Sequence, residues 1–193
     1  MRRLVTASLL VATGMLADPA AAHTFGAHDA GFASGLAHPL GGLDHLIAMI
    51  AVGLWAGQLG GRALWLAPAA FVAAMAGGAV AAAAGFPLPA TEYGVVMSLV
   101  VFGALIAAAA RTPVWAGAIL VGMFAVFHGH AHGSELPEAA SILGYTGGFM
   151  TATVGLHGLG IALSRAAARA SAPWASRCAG GAVALAGLAL LAA

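Results

Sequence analysis

Apolar residues run through this chain in six long blocks, near 39–59, 64–84, 93–110, 114–131, 139–164 and 174–192. Each block is close to the ~20 residues that carry a helix across a hydrocarbon core. Turn-forming groups separate them: Gly60-Gly61-Arg62, Pro87-Leu88-Pro89, Arg111-Thr112-Pro113, Glu135-Leu136-Pro137 and Ala172-Pro173. No block alternates apolar with polar positions as a strand of a membrane barrel would. The pattern predicts an all-α fold, a polytopic membrane bundle of six transmembrane helices. A shorter apolar stretch, Leu4 to Leu16, follows Arg2 and Arg3 and precedes Asp18-Pro19 and Ala20-Ala21-Ala22. That order is the order of a cleavable signal peptide over 1–22. Cleavage would leave 23–193 as the transmembrane domain, with His23 at the mature N-terminus.

Charge fixes the expected topology. Arg62, Arg111, and Arg165, Arg169 and Arg177 all fall in alternate loops or at their edges, while Glu92, Glu135 and Glu138 fall in the intervening ones. The positive-inside rule puts the arginine loops in the cytoplasm, and hence both mature termini in the periplasm of a bacterial inner membrane. An exported N-terminus behind a signal peptide gives the same answer.

Only 7% of residues are charged, against about a quarter in soluble domains, so the bilayer is the solvent. With no lysine and a formal net charge of +1, the chain offers no basic patch for nucleic acid. Cys178 is alone, which excludes an internal disulfide and any multi-cysteine zinc or iron–sulfur site. Small residues such as Ala74, Gly77, Gly78, Gly144, Gly147, Gly148, Gly155, Gly158 and Gly160 suit close helix packing. Assembly into a homo-oligomer stays open. Gly41-Gly42, Gly129 and Gly133 lie beside polar clusters instead, where a helix could unwind and turn carbonyls to a cavity.

Those polar clusters carry the chemistry. The first is His38-Pro39-Leu40-Gly41-Gly42-Leu43-Asp44-His45, and the second is Phe127-His128-Gly129-His130-Ala131-His132-Gly133-Ser134-Glu135. An ionisable group at the centre of a bilayer costs roughly 2.5–3.5 kcal/mol on insertion, so such concentration in an apolar chain calls for a use. Pro39 suits the first turn of a helix, with His38 at its cap and His45 two turns on, beside Asp44. In the second cluster His128, His132 and Glu135 stand at i, i+4 and i+7, on one face, and His130 falls on the other side. Both clusters sit at the outer ends of their blocks, the first and fourth, and can face each other. Imidazole and carboxylate donors without thiolate suit Ni(II), Co(II), Zn(II) or Cu(II). Further candidates for the site or a path are His130, Glu92 at the mouth of the third block, His157 deep in the fifth, and His23 with His28 and Asp29 outside.

His38-x5-Asp44-His45 followed by the Phe127-to-Glu135 run resembles the HupE/UreJ family of nickel permeases. The resemblance covers the signal, the six blocks and both motifs in order. It implies secondary uptake of Ni(II), with Co(II) as the alternative, as a transported ion and not a permanently bound cofactor. It also implies a metalloenzyme maturation system, for hydrogenase or urease, as the downstream partner. By motif position it assigns metal handling to His38, Asp44, His45, His128, His132 and Glu135. The chain contains no Gly-x4-Gly-Lys-Ser/Thr loop, so it does not hydrolyse ATP by that route. Two rivals remain at this stage. One is an intramembrane zinc-dependent hydrolase, with histidine ligands and a carboxylate activating water. The other is an accessory protein that delivers metal without transporting it.

Overall fold

A computed structural model describes residues 31–135 and 141–193. The signal peptide and its cleavage site, His23, His28, Asp29 and Glu138 lie outside these residues. The described chain is helical: α1 (Phe32–Gly41), α2 (Leu43–Leu59), α3 (Ala63–Ala83), α4 (Thr91–Ala107), α5 (Val114–Ser134), α6 (Ile142–Arg169) and α7 (Pro173–Leu191). Helices α3, α5 and α7 are each long and apolar enough to cross a membrane, and α1 with α2 qualifies as one span bent by 89°. Helix α4 is apolar but only 17 residues long, while α6 runs for 28 residues and carries more polar side chains.

The first apolar block departs from its predicted form. A single helix over 39–59 with His38 at its cap gives way to two helices, with His38 and Pro39 inside α1. Proline disfavours helical geometry in the residue before it and removes an amide donor, weakening the end of α1. Gly42 then adopts an extended conformation (φ −101°, ψ 113°), and α2 restarts with the Leu46 N–H on the Gly42 carbonyl. The i, i+7 relation expected between His38 and His45 is therefore lost.

Helix α2 is the centre of the bundle. Its residues from Ala48 to Ala56 are almost all buried, and it touches α3, α4, α5, α6 and α7. Apolar on all sides, it could fit nowhere else. The most extensive pairings around it are α3 with α5, α4 with α7, and α6 with both α1 and α2. Trp55, Phe71, Phe102, Met49 and Met75 fill the core. Glycine lets backbones meet where these helices cross: a Cβ at Gly129 would fall on the Met75 carbonyl, and one at Gly53 on the His157 carbonyl. Gly78, Gly148 and Gly160 pack in the same way, as anticipated, whereas Gly77, Gly155 and Gly158 face open space. Gly129 and Gly133 do not unwind α5, which continues to Ser134. They admit the α3 backbone instead.

From α2 onward successive helices run in opposite directions, so the ends sort by chemistry. Arg62, Arg111, Arg165, Arg169 and Arg177 gather at one end, where Arg177 Nε donates to the Ala107 carbonyl and Trp55 Nε1 to that of Ala110. The histidine motifs occupy the other end, with His157 one layer further in.

Candidate metal-handling site

The break at Gly42 brings the two motifs together. It lets α1 lie across the bundle against α6, so that His38 approaches the end of α5, where His38 Nε2 stands 3.4 Å from Glu135 Oε2. His38, His132 and Glu135 each present a donor atom, all within 4.8 Å of one another. Glu135 is the residue just beyond the end of α5 and is half exposed, whereas His132 is buried. A cavity of about 20 Å³, room for one water-sized sphere, opens onto His132 between α3, α5 and α6. A larger apolar groove, of about 510 Å³ between α2, α6 and α7, has no titratable side chain in its lining.

From this group the imidazoles continue inward in file. Ring centroids are 4.7 Å apart from His38 to His132, 4.4 Å from His132 to His45 and 4.9 Å from His45 to His128. Helical persistence through Gly129 and Gly133 keeps His128 and His132 one turn apart on a common face. Phe71 of α3 follows, 5.4 Å from His128 and 5.0 Å from His157 of α6, which is buried. Phe149 caps the upper part of the file, 4.1 Å from His132.

Hydrogen bonding divides the ring nitrogens into two sets. Asp44 Oδ1 accepts from the His45 backbone N–H at 2.8 Å and lies 2.9 Å from His45 Nδ1. An ionised carboxylate only accepts, so His45 Nδ1 carries a hydrogen, and in the neutral ring Nε2 is left with its lone pair. Ser98 Oγ lies 3.0 Å from His128 Nε2. In contrast, His45 Nε2, His128 Nδ1, and both nitrogens of His132 and His157 are buried without a protein partner among the described residues. Each such atom costs on the order of 1–3 kcal/mol if nothing answers it.

The remaining predicted residues lie elsewhere. His130 points to the other side of α5, as its spacing implies, and ties down the loop before α4. There Gly85 (φ 78°) ends α3, with the Phe86 N–H on the Ala81 carbonyl, and the Phe86 carbonyl accepts from His130 Nε2 at 2.9 Å. Thr91 Oγ1, which donates to the Leu88 carbonyl, is 3.4 Å from His130 Nδ1. Glu92 is exposed in the first turn of α4 and is not one of the three grouped donors. Phe71 and Ser98 escaped the sequence reading. They are uncharged, lie outside both motifs, and only the packing of α3 and α4 on α5 brings them to the histidines.

The HupE / UreJ protein family profile matches residues 10–190 of the chain. This chain belongs to the HupE/UreJ family. Its sequence is 48% identical to Protein HupE of Rhizobium leguminosarum bv. viciae over 177 residues, covering 91% of this chain and 93% of that protein. No solved structure matches it. HupE/UreJ proteins are transport or accessory proteins, and a bundle with apolar helices of membrane-crossing length accords with that membership.

Proposed function

We propose that this HupE/UreJ protein is a secondary permease that takes up Ni(II), with Co(II) as the competing substrate, across the bacterial inner membrane. The observation that carries this reading is a file of imidazoles that begins at an accessible carboxylate and in which His132, His45 and His128 each keep at least one buried nitrogen with no protein partner among the described residues. The mouth faces the periplasm and the arginine end the cytoplasm. The signal peptide is removed, α1 and α2 together form the first of six spans, and the metal is passed to a metalloenzyme maturation system.

Capture begins at Glu135 and His38, whose partial exposure lets them meet a hydrated cation. Donors bonded to one ion at about 2.1 Å stand no more than about 4.2 Å apart, so a small rotation of exposed Glu135 completes a shared site with His132. Neutral imidazoles then replace water as the ion moves to His45 and His128. Neighbouring rings allow transfer without a bare ion in lipid, and weak multiple sites favour flux over retention. Asp44 holds His45 with its free nitrogen available, the usual service of a carboxylate behind a metal-binding histidine. Phe71 separates this outer file from His157, the next donor inward.

Purified protein in proteoliposomes, given radioactive nickel with and without excess cobalt, tests the reading. Accumulation above protein-free vesicles, reduced at least tenfold by His132→Ala, is expected. No flux through the isolated wild-type chain, with stoichiometric nickel still bound, would instead indicate a delivery protein. Tightly retained zinc together with peptide or lipid cleavage would indicate a hydrolase.

A further inference from the structure

We infer that Ser98 is a positioning residue that fixes the tautomer of His128, so that Nδ1 is the atom His128 offers to the transported cation. This inference rests on the permease reading, with His128 as one stage of the path. Ser98 lies in the middle of α4, outside both histidine motifs, and is fully buried. Its hydroxyl oxygen is 2.6 Å from the Val95 carbonyl oxygen one turn back and 3.0 Å from His128 Nε2.

The assignment follows from counting hydrogens. Two oxygens at 2.6 Å need a hydrogen between them, and a backbone carbonyl has none to give. The single hydroxyl hydrogen of Ser98 therefore points to Val95. What Ser98 presents to His128 is a lone pair, and a stable contact there requires the hydrogen to sit on His128 Nε2. A neutral imidazole has one N–H, so Nδ1 is left as an acceptor.

That nitrogen is buried and has no protein partner among the described residues. The next ring outward is set in the same sense by Asp44, which leaves His45 Nε2 as an acceptor 4.9 Å, ring to ring, from His128. Two adjacent imidazoles on different helices are thus each anchored through one nitrogen and open through the other. With the opposite tautomer, His128 would turn an N–H towards a cation and repel it. Ser98 prevents this without touching the ion.

The direct test is the nitrogen NMR spectrum of metal-free wild-type protein labelled at histidine, with the His128 signals identified by their loss in His128→Gln. A hydrogen on Nε2 and a bare Nδ1 are expected. Ser98→Ala should mix or reverse that state, and Ser98→Thr, which keeps a hydroxyl, should restore it. In proteoliposomes Ser98→Ala should raise the KM for nickel about 10- to 100-fold, the usual effect of losing a group that orients a metal-binding histidine. Ser98→Thr should recover most of that loss. A wild-type His128 with its hydrogen on Nδ1 overturns the inference, as does an unchanged tautomer in folded Ser98→Ala. The wild-type spectrum decides even if the alanine variant does not fold. Absence of nickel flux in wild type alongside the expected tautomer would sink the permease reading and leave the hydrogen-bond assignment standing.

Discussion

Asp44 and His130 are both polar residues within the histidine motifs, yet their surroundings assign them opposite consequences. Asp44 →Asn keeps the side chain's shape but can turn an N–H towards His45 Nδ1, which would then have to accept and leave its hydrogen on Nε2. Nickel uptake at limiting metal should fall about 10- to 100-fold, with the protein still folded. Uptake equal to wild type would show that Asp44 does not orient His45. His130→Ala removes the hydrogen bond to the Phe86 carbonyl and the contact with Thr91, so it should cost about 1 kcal/mol of stability while sparing most uptake. Thermal unfolding in detergent and vesicle uptake on one preparation separate the two effects. The contrast between His130 and its neighbours was legible in the sequence, because i, i+4 spacing survives wherever a helix does. Phe71 and Ser98 were not legible, since an uncharged side chain in an apolar block carries no mark of what packs against it.

The helices show where periodicity stops being informative. Apolar blocks located α3 to α7 to within several residues, because a lipid-facing helix has to be apolar along most of its length. The same signal ran straight through Gly42, where α1 turns by 89° into α2. Hydropathy is blind to a bend between two apolar helices, and the Pro39-Leu40-Gly41-Gly42 run was the only hint of it. Glycine is ambiguous for a related reason. Gly129 and Gly155 look alike in sequence, but a Cβ meets the Met75 carbonyl at one and nothing within 4 Å at the other. Gly129→Ala should therefore force α3 and α5 apart and destabilise the bundle by about 1–3 kcal/mol or more. Gly155→Ala should be neutral or stabilising by up to about 1 kcal/mol, through helix propensity alone. Unfolding midpoints of the two variants in one detergent check the pair, and equal losses would contradict the close crossing.

Charge sorting along the chain and the geometry of the bundle bear on the direction of uptake. Arginines at the ends and edges of alternate loops collect at the end of the bundle remote from His38 and Glu135, so the proposed permease would be vectorial, with one end meeting the ion and the other the cytoplasm. Helices that alternate in direction leave only two orientations, and the positive-inside rule selects the one with the histidine mouth outside. Cysteine placement can test this in a Cys178→Ala background. Pro89 lies exposed in the loop before α4, at the histidine end, and Ala170 lies exposed just after α6, at the arginine end. A membrane-impermeant maleimide added to intact spheroplasts should label Pro89→Cys and spare Ala170→Cys, and inverted vesicles should reverse the result. Labelling of Ala170→Cys in spheroplasts would turn the bundle over and place the imidazole file at the cytoplasmic face. The same donors would then suit metal export or cytoplasmic delivery better than uptake, because Glu135 and His38 would meet ions already inside the cell.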